Sequence, residues 1–317
     1  MSAALRARAE DLDRRDLLAA YRERFHIPEG KTYLCGNSLG LAPRAAADNV
    51  ERELKAWREL GVEGHFKSDR PWVSYHELCT EHLAKLVGAK PIEVVAMNTL
   101  TVNLHLMLTS FYACDNFRHK ILIGHSAFPS DRYAILSRIE RYNLHPEHSL
   151  IVASPRPGEA TLRTEDVVEL IDQHHLGLET VLMDGVNYLT GEFLDIPAIT
   201  AAAHKHGIAV GFDLAHAVGN VPLQLHDWGV DFAVWCSYKY LNGGPGCPAG
   251  CFVHERHATS DRPRLAGWWG HDKATRFQMG PDFQPIPGAE GWQLSNPPLF
   301  SMAALLASLE LYSEVGM

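Results

Sequence analysis

The spacing of apolar positions divides the chain into two stretches. Up to about residue 90, apolar residues recur at helical intervals among charges. Leu5, Leu12, Leu17, Leu18, Tyr21 and Phe25 predict an amphipathic helix or helix pair over residues 5–25. A short apolar run, Thr32-Tyr-Leu-Cys35, leads into the turn-rich segment Gly36-Asn-Ser-Leu-Gly40. Pro43 suits the first position of a helix reaching about Leu60. Residues 74–87 read as a further helix. From residue 92 the pattern changes. Apolar runs of strand length occupy 93–97, 120–124, 149–153, 180–183, 208–212, 231–235 and 250–253. Helical segments lie between them, near 101–113, 130–142, 164–175 and 197–206. Strands apolar on both faces and alternating with helices predict an α/β domain. Its seven-stranded, mostly parallel sheet would carry flanking helices on both sides. Residues 299–317 read as a helix in progress, with Leu305, Leu306, Leu309 and Leu311.

Composition narrows the class of protein without identifying it. A chain of 317 residues, 46% hydrophobic and 21% charged, fits a soluble globular protein and excludes disordered or collagen-like classes. The net charge of −9 is spread along the chain and argues against nucleic acid as the main partner. No apolar run reaches membrane-helix length, and the charged start lacks the apolar segment of a signal peptide. These features, and six cysteines scattered through apolar surroundings, predict a reduced, cytoplasmic protein with no membrane partner. Cys247 and Cys251 lack zinc-ligand spacing, and the histidines lack a His-Glu-x-x-His motif, so no metal is expected.

Ligands of open α/β sheets bind beyond the carboxyl ends of strands. The run 208–212 is followed by Asp213-Leu-Ala-His216. The run 231–235 is followed by Cys236-Ser-Tyr-Lys239, and the run 93–97 by Asn98-Thr-Leu-Thr101 at a helix start. An acid ending one strand and a lysine ending a later one fit a pyridoxal 5'-phosphate site. The lysine forms a Schiff base with the cofactor aldehyde, and the carboxylate keeps the pyridine nitrogen protonated. Hydroxyls and free amides at a helix N-terminus, here Thr99 and Thr101, suit the phosphate.

Beyond this pattern the chain resembles the kynureninases, a pyridoxal-phosphate family of tryptophan breakdown with the type I aminotransferase fold. The matching stretches run from about residue 25 to 317. They include Gly36-Asn-Ser-Leu-Gly-Leu41, Arg70-Pro-Trp72, Ala127-Phe-Pro-Ser-Asp131, Cys236-Ser-Tyr-Lys-Tyr-Leu-Asn242, Gly267-Trp-Trp-Gly-His271 and Ser295-Asn-Pro-Pro298. The resemblance implies hydrolytic cleavage of L-kynurenine, or its 3-hydroxy analogue, to anthranilate or 3-hydroxyanthranilate and L-alanine, in tryptophan catabolism and NAD biosynthesis. It implies that Lys239 carries the cofactor, Asp213 pairs with the ring nitrogen beside His216, and Phe128 stacks on the ring. Pro129, Ser130, Asp131 and Asp184 would lie close by, and Leu100, Thr101 and Tyr238 would serve the phosphate. Tyr238 is also the implied proton donor. Ser38 and His65 would line the substrate side. Trp268 and Asn296 would be supplied by the second subunit of a homodimer, with Asn296 also touching substrate.

The implied division is an N-terminal helical segment over 1–60, the cofactor-binding large domain over 61–298, and at 299–317 the start of a helix leading to a small C-terminal domain. The family's carboxylate-binding arginine belongs to that further lobe. The expectations are therefore weak cofactor binding, poor turnover and an exposed apolar face on the last helix. Arg262, Arg264 and Arg276 are read as surface charges. Two alternatives remain open at this point: a cofactor-binding remnant without catalysis, and another enzyme of the same fold such as a cysteine desulfurase.

Overall fold

A computed structural model of the chain describes residues 3–114 and 117–317. The N-terminal part holds α1 (Ala3–Arg15), the two-residue antiparallel pair β1 (Phe25–His26) and β2 (Ala42–Pro43), α2 (Ala45–Leu60), the single turn α3 (Gly64–Lys67) and α4 (Glu77–Val87). The central part runs β3 (Val94–Met97), α5 (Leu100–Phe111), β4 (Lys120–Gly124), α6 (Pro129–Arg141), the short α7 (Pro146–Ser149), β5 (Leu150–Ala153), α8 (Thr164–His174), β6 (Leu178–Asp184) and α9 (Ile196–His204). It ends with β7 (Ala209–Asp213), β8 (Phe232–Trp235) and β9 (Ala249–Val253), and α10 (Leu299–Val315) closes the chain.

Strands β3 to β9 form one seven-stranded sheet in the order β3-β9-β8-β7-β6-β4-β5. All neighbours pair in parallel except β9, which is antiparallel to both β3 and β8. Side chains alternate across this sheet as strand geometry requires. Val210 and Phe212 of β7 and Ala233 and Trp235 of β8 enter one core with α4, α8, α9 and α10. Phe232 and Val234 of β8 enter the other with α5 and α6. Both faces are covered, which is why each strand reads as a continuous apolar run.

Four expectations need correction. Helix α1 buries no residue, with Leu5 and Leu12 both more than half exposed. One leucine every seventh residue is too narrow a stripe to dock a helix. Pro43 does not open α2: it lies in β2 opposite Phe25, two residues before the helix. Strands β6 and β7 run on into Asp184 and Asp213, which sit opposite one another in register. A carboxylate ends an apolar run in sequence without ending backbone pairing. Finally, the leucines of α10 do not form an exposed face; its exposed apolar side chains, Phe300 and Val315, stand at its two ends. Met302, Ala303, Leu305, Leu306, Leu309 and Leu311 are buried, and the helix lies against α2 and α4.

Candidate active site

The carboxyl ends of β6, β7 and β8, with the starts of α5 and α6, enclose a cavity of about 340 Å³. Asp213 closes β7, and its Oδ1 accepts the Ala215 backbone N–H at 2.6 Å. The turn that follows brings His216 Nε2 to 2.8 Å from Lys239 Nζ. Lys239 follows the buried Cys236 and Ser237 after β8, with its Nζ 5.8 Å from the centre of the Phe128 ring. The segment Gly36–Gly40 docks on this lysine loop, the Gly40 amide donating to the Tyr238 carbonyl at 2.8 Å. A Cβ at Gly40 would stand 2.3 Å from the Lys239 carbonyl oxygen, so only glycine permits this approach. The contact sets Asn37 and Ser38 on the cavity wall.

On the opposite side, Asn98 adopts φ +48° after β3 and turns the chain into α5. Thr99 makes no side-chain capping bond, so the first amides of α5 keep no side-chain partner there. Leu100 and Thr101 reach the cavity, and Thr101 Oγ1 lies 3.3 Å from Ser130 Oγ. Pro129 holds the first turn of α6, where its missing N–H costs nothing. Behind Ser130 lies the buried Asp131.

Of the residues singled out from sequence, Ser38, Leu100, Thr101, Phe128, Ser130, Asp184, Asp213, His216, Tyr238 and Lys239 line this one cavity. His65 does not; its ring packs edge-on against Trp72 at 5.3 Å. Trp268 and Asn296 also lie outside it, both exposed. Tyr188 lines the cavity and was missed. Its ring meets Phe128 edge-on at 5.3 Å. Asn187-Tyr188 follows the carboxyl end of β6 as His216 follows β7, but position after a strand does not say which wall an aromatic in a turn faces. Asn187 is buried and donates to Asp184 Oδ2 at 3.0 Å and to Ser126 Oγ at 2.7 Å.

The three arginines near the tryptophan loop are not free surface charges. Arg276 is 3% exposed, stacks 4.5 Å from the Trp269 ring centre and donates to the Trp269 carbonyl at 2.6 Å. Arg264 stacks on Trp292 at 4.0 Å and Arg262 on Phe111 at 4.5 Å. A weakly hydrated, planar guanidinium is at home on an aromatic face.

The electrostatics of the cavity are unusual. Asp131, Asp184 and Asp213 crowd together, and burial raises all three. Burial and the Asp213 charge push Asp184 up to about 7. Asp131 and Asp213 share a hydrogen bond, and burial together with the Asp213 charge raises Asp131, so the pair retains a proton. Burial, then the neighbouring Lys239 charge, pushes His216 down to about 4. Burial, then Cys236, pushes Tyr238 up to about 12. A buried carboxylate among like charges is relieved by a cation placed beside it. An amine, a crowded carboxylate and an open helix start in one cavity thus suit an aldehyde, a protonated ring nitrogen and a phosphate respectively. Together with the sheet order, this defines the class of pyridoxal-phosphate enzymes built on the aminotransferase fold.

Comparison with known proteins agrees. Residues 33–258 match the class-V aminotransferase family. A kynureninase of Myxococcus xanthus is 58% identical over 98% of this chain and 74% of its own length. A kynureninase of Koribacter versatilis is 55% identical over 97% of this chain and 74% of its own. Among solved structures, a C-DES mutant with glycine covalently linked to its PLP cofactor superposes with TM-score 0.77. It is 18% identical and covers 93% of this chain and 74% of that one. A cysteine desulfurase from Thermococcus onnurineus superposes at 0.72 with 17% identity, over 97% of this chain and 71% of that one. The chain belongs to the kynureninases, a pyridoxal-phosphate-dependent family of hydrolases among the class-V aminotransferases. Its partner in that chemistry is a small molecule, and among the described residues no helix is long and apolar enough to cross a membrane.

Proposed function

We propose that this cavity hydrolyses L-kynurenine to anthranilate and L-alanine, and the 3-hydroxy analogue likewise. The observation that carries the reading is the meeting of Lys239, Asp213 and the α5 start in one cavity of a chain more than half identical to kynureninases. When bound, pyridoxal phosphate supplies an electrophilic aldehyde and an electron-accepting ring. Lys239 would hold it, and its Nζ, as a free amine, would take the α-proton of the substrate. Asp213 keeps the ring nitrogen protonated, with Asp131 and Asp184 beside it and His216 at the lysine. Phe128, flanked by Pro129 and Ser130 at the start of α6, would hold the ring. The Leu100 amide and the Thr101 and Tyr238 hydroxyls would hold the phosphate. Tyr238 Oη, kept protonated by its surroundings, donates to the γ-carbonyl oxygen as water adds and the Cβ–Cγ bond breaks.

Ser38 faces the substrate from the cavity wall, whereas His65, packed on Trp72, has no part in that wall. Trp268 and Asn296 complete the site from the second subunit of a homodimer; their exposure outside their own cavity supports that assignment. Cytoplasmic location follows the same reading. A desulfurase reading is disfavoured at Cys247, the cysteine of the glycine-rich loop after Lys239: it is buried, and burial pushes its thiol up to about 12. The test is borohydride reduction of the loaded protein followed by peptide mapping, alongside anthranilate fluorescence on adding kynurenine. A pyridoxyl group on Lys239 with anthranilate release is the expected result. A label on another lysine sinks the assignment, and a label on Lys239 without turnover leaves only a cofactor-binding remnant.

A further inference from the structure

We propose that His216 and Tyr240 form a proton exit from Lys239, with Tyr240 as a positioning residue that fixes the histidine tautomer. This rests on the reading of Lys239 as the cofactor lysine. An amine must shed a proton before it can attack an aldehyde. The group bonded to Lys239 Nζ is His216 Nε2, at 2.8 Å. The other ring nitrogen, Nδ1, lies 3.4 Å from Tyr240 Oη.

A neutral imidazole has one N–H and one lone pair. Facing an ammonium, which only donates, Nε2 must be the lone-pair atom and Nδ1 must carry the hydrogen. Tyr240 Oη stands where that hydrogen needs an acceptor. In transfer, Nζ–H breaks as Nε2–H forms, and Nδ1–H breaks as a new Oη–H forms. The phenol's former proton passes to water. One proton leaves, the imidazole changes tautomer and no charge stays on the relay. Burial and the Lys239 charge depress His216, so the ring passes a proton on without retaining it.

The surroundings favour this route. Tyr240 is half-buried and so in reach of water. Its carbonyl accepts from Tyr312 Oη of α10 at 2.8 Å and from Asn242 Nδ2 at 2.9 Å, and its phenol stands edge-on to the His216 ring at 6.0 Å and 76°. The other titratable groups facing the pair are Asp213 from β7, Asp184 from β6, Asp131 from α6, Tyr188 after β6, and Cys236 and Tyr238 on the lysine's own segment. The hydrogen bonds of the His216 ring nitrogens run to Lys239 and Tyr240.

The experiment follows cofactor loading and needs no turnover. Cofactor-free protein is mixed with pyridoxal phosphate in a stopped-flow instrument, and the absorbance change on linkage to lysine is timed in weak buffer from about pH 6 to about pH 8. Tyr240→Phe should load about 10-fold more slowly at the acid end, with cofactor affinity little changed, and added imidazole should restore the rate. Tyr312→Phe, which frees the Tyr240 carbonyl but keeps its hydroxyl, should load like wild type. Wild-type loading by Tyr240→Phe overturns the relay. So does slow loading that imidazole does not restore, or equal slowing in Tyr312→Phe, since either points to loop position alone. If Tyr240→Phe does not fold, loading of the wild-type protein in mixed light and heavy water decides. A curved dependence on deuterium fraction supports several protons in flight, and a straight line overturns it. Reductive mapping separates the two levels: a pyridoxyl group away from Lys239 sinks the underlying assignment, whereas one on Lys239 with unchanged kinetics sinks only the relay.

Discussion

Asp213 and Asp231 flank neighbouring strands of the same sheet, both nearly inaccessible to solvent, at 7% and 4% exposure. Their surroundings are opposite. Asp231 enters β8 and is fully provided for. It accepts from the Val210 amide at 2.8 Å, lies 2.9 Å from His204 Nε2 and 2.8 Å from His257 Nε2, and has Arg256 at 3.8 Å. Against the cost of burial, those partners hold its carboxyl well below the ordinary range. Asp213 leaves β7 and meets two further carboxylates, one backbone amide and a lysine, and burial drives it upward. A charge satisfied by its own chain is architecture. A charge crowded by like charges at a strand's carboxyl end is held ready for something cationic.

Asn substitutions test that contrast. Asp213→Asn should cut kynurenine turnover on the order of 1000-fold, because the ring's electron-accepting power goes with the lost carboxylate, while thermal stability is unchanged or raised. Turnover within a factor of two of wild type would place the pyridine partner elsewhere. Asp231→Asn should do the reverse. Breaking a buried network costs about 3 kcal/mol, lowering Tm by about 5 °C or more, while turnover per folded molecule persists. Equal losses of turnover in both variants would erase the distinction.

The third test is titration. Asp231 has a depressed folded value, so its contribution is present above the ordinary aspartate range and lost as pH falls through the folded value. Asp184 has a raised one, about 7. Its folded form keeps a proton that the unfolded chain releases, so its ionisation costs stability increasingly as pH rises from about 4 to about 7. In cofactor-free protein, Asp184→Asn should therefore raise Tm by about 2 °C above neutrality and by nothing near pH 4. A gain that persists undiminished at the acid end would show that Asp184 is not the source. The smallest effect is expected from Tyr188→Phe, which keeps the ring against Phe128 and should leave cofactor affinity within about twofold, whereas Tyr188→Ala should weaken it more.

The sheet was legible because its strands are buried on both faces, so runs such as Lys120–Gly124 stand out from their surroundings. Strand direction was not. The run at β9 is as apolar as its neighbours, and nothing in alternation says that it pairs antiparallel between β3 and β8. The site was legible where chemistry sits at a strand's end, as with Asp213 and Lys239. Tyr188 escaped because an aromatic in a turn carries no sign of which wall it faces. Arg276 was misread because charge predicts exposure until a tryptophan face and two free carbonyls turn out to be close enough to hold it.

Strand β9 has a further consequence, in the order of synthesis. Met97 pairs with Ala249, so roughly 150 residues separate β3 from its partner. A ribosome adding about 5–20 residues per second completes β9 about 8 to 30 seconds after β3. Through that interval Val94-Val-Ala-Met97, apolar on both faces, has no strand beside it. The nascent chain therefore carries an open, adhesive strand through the synthesis of those roughly 150 residues, and holdase chaperones should find it there.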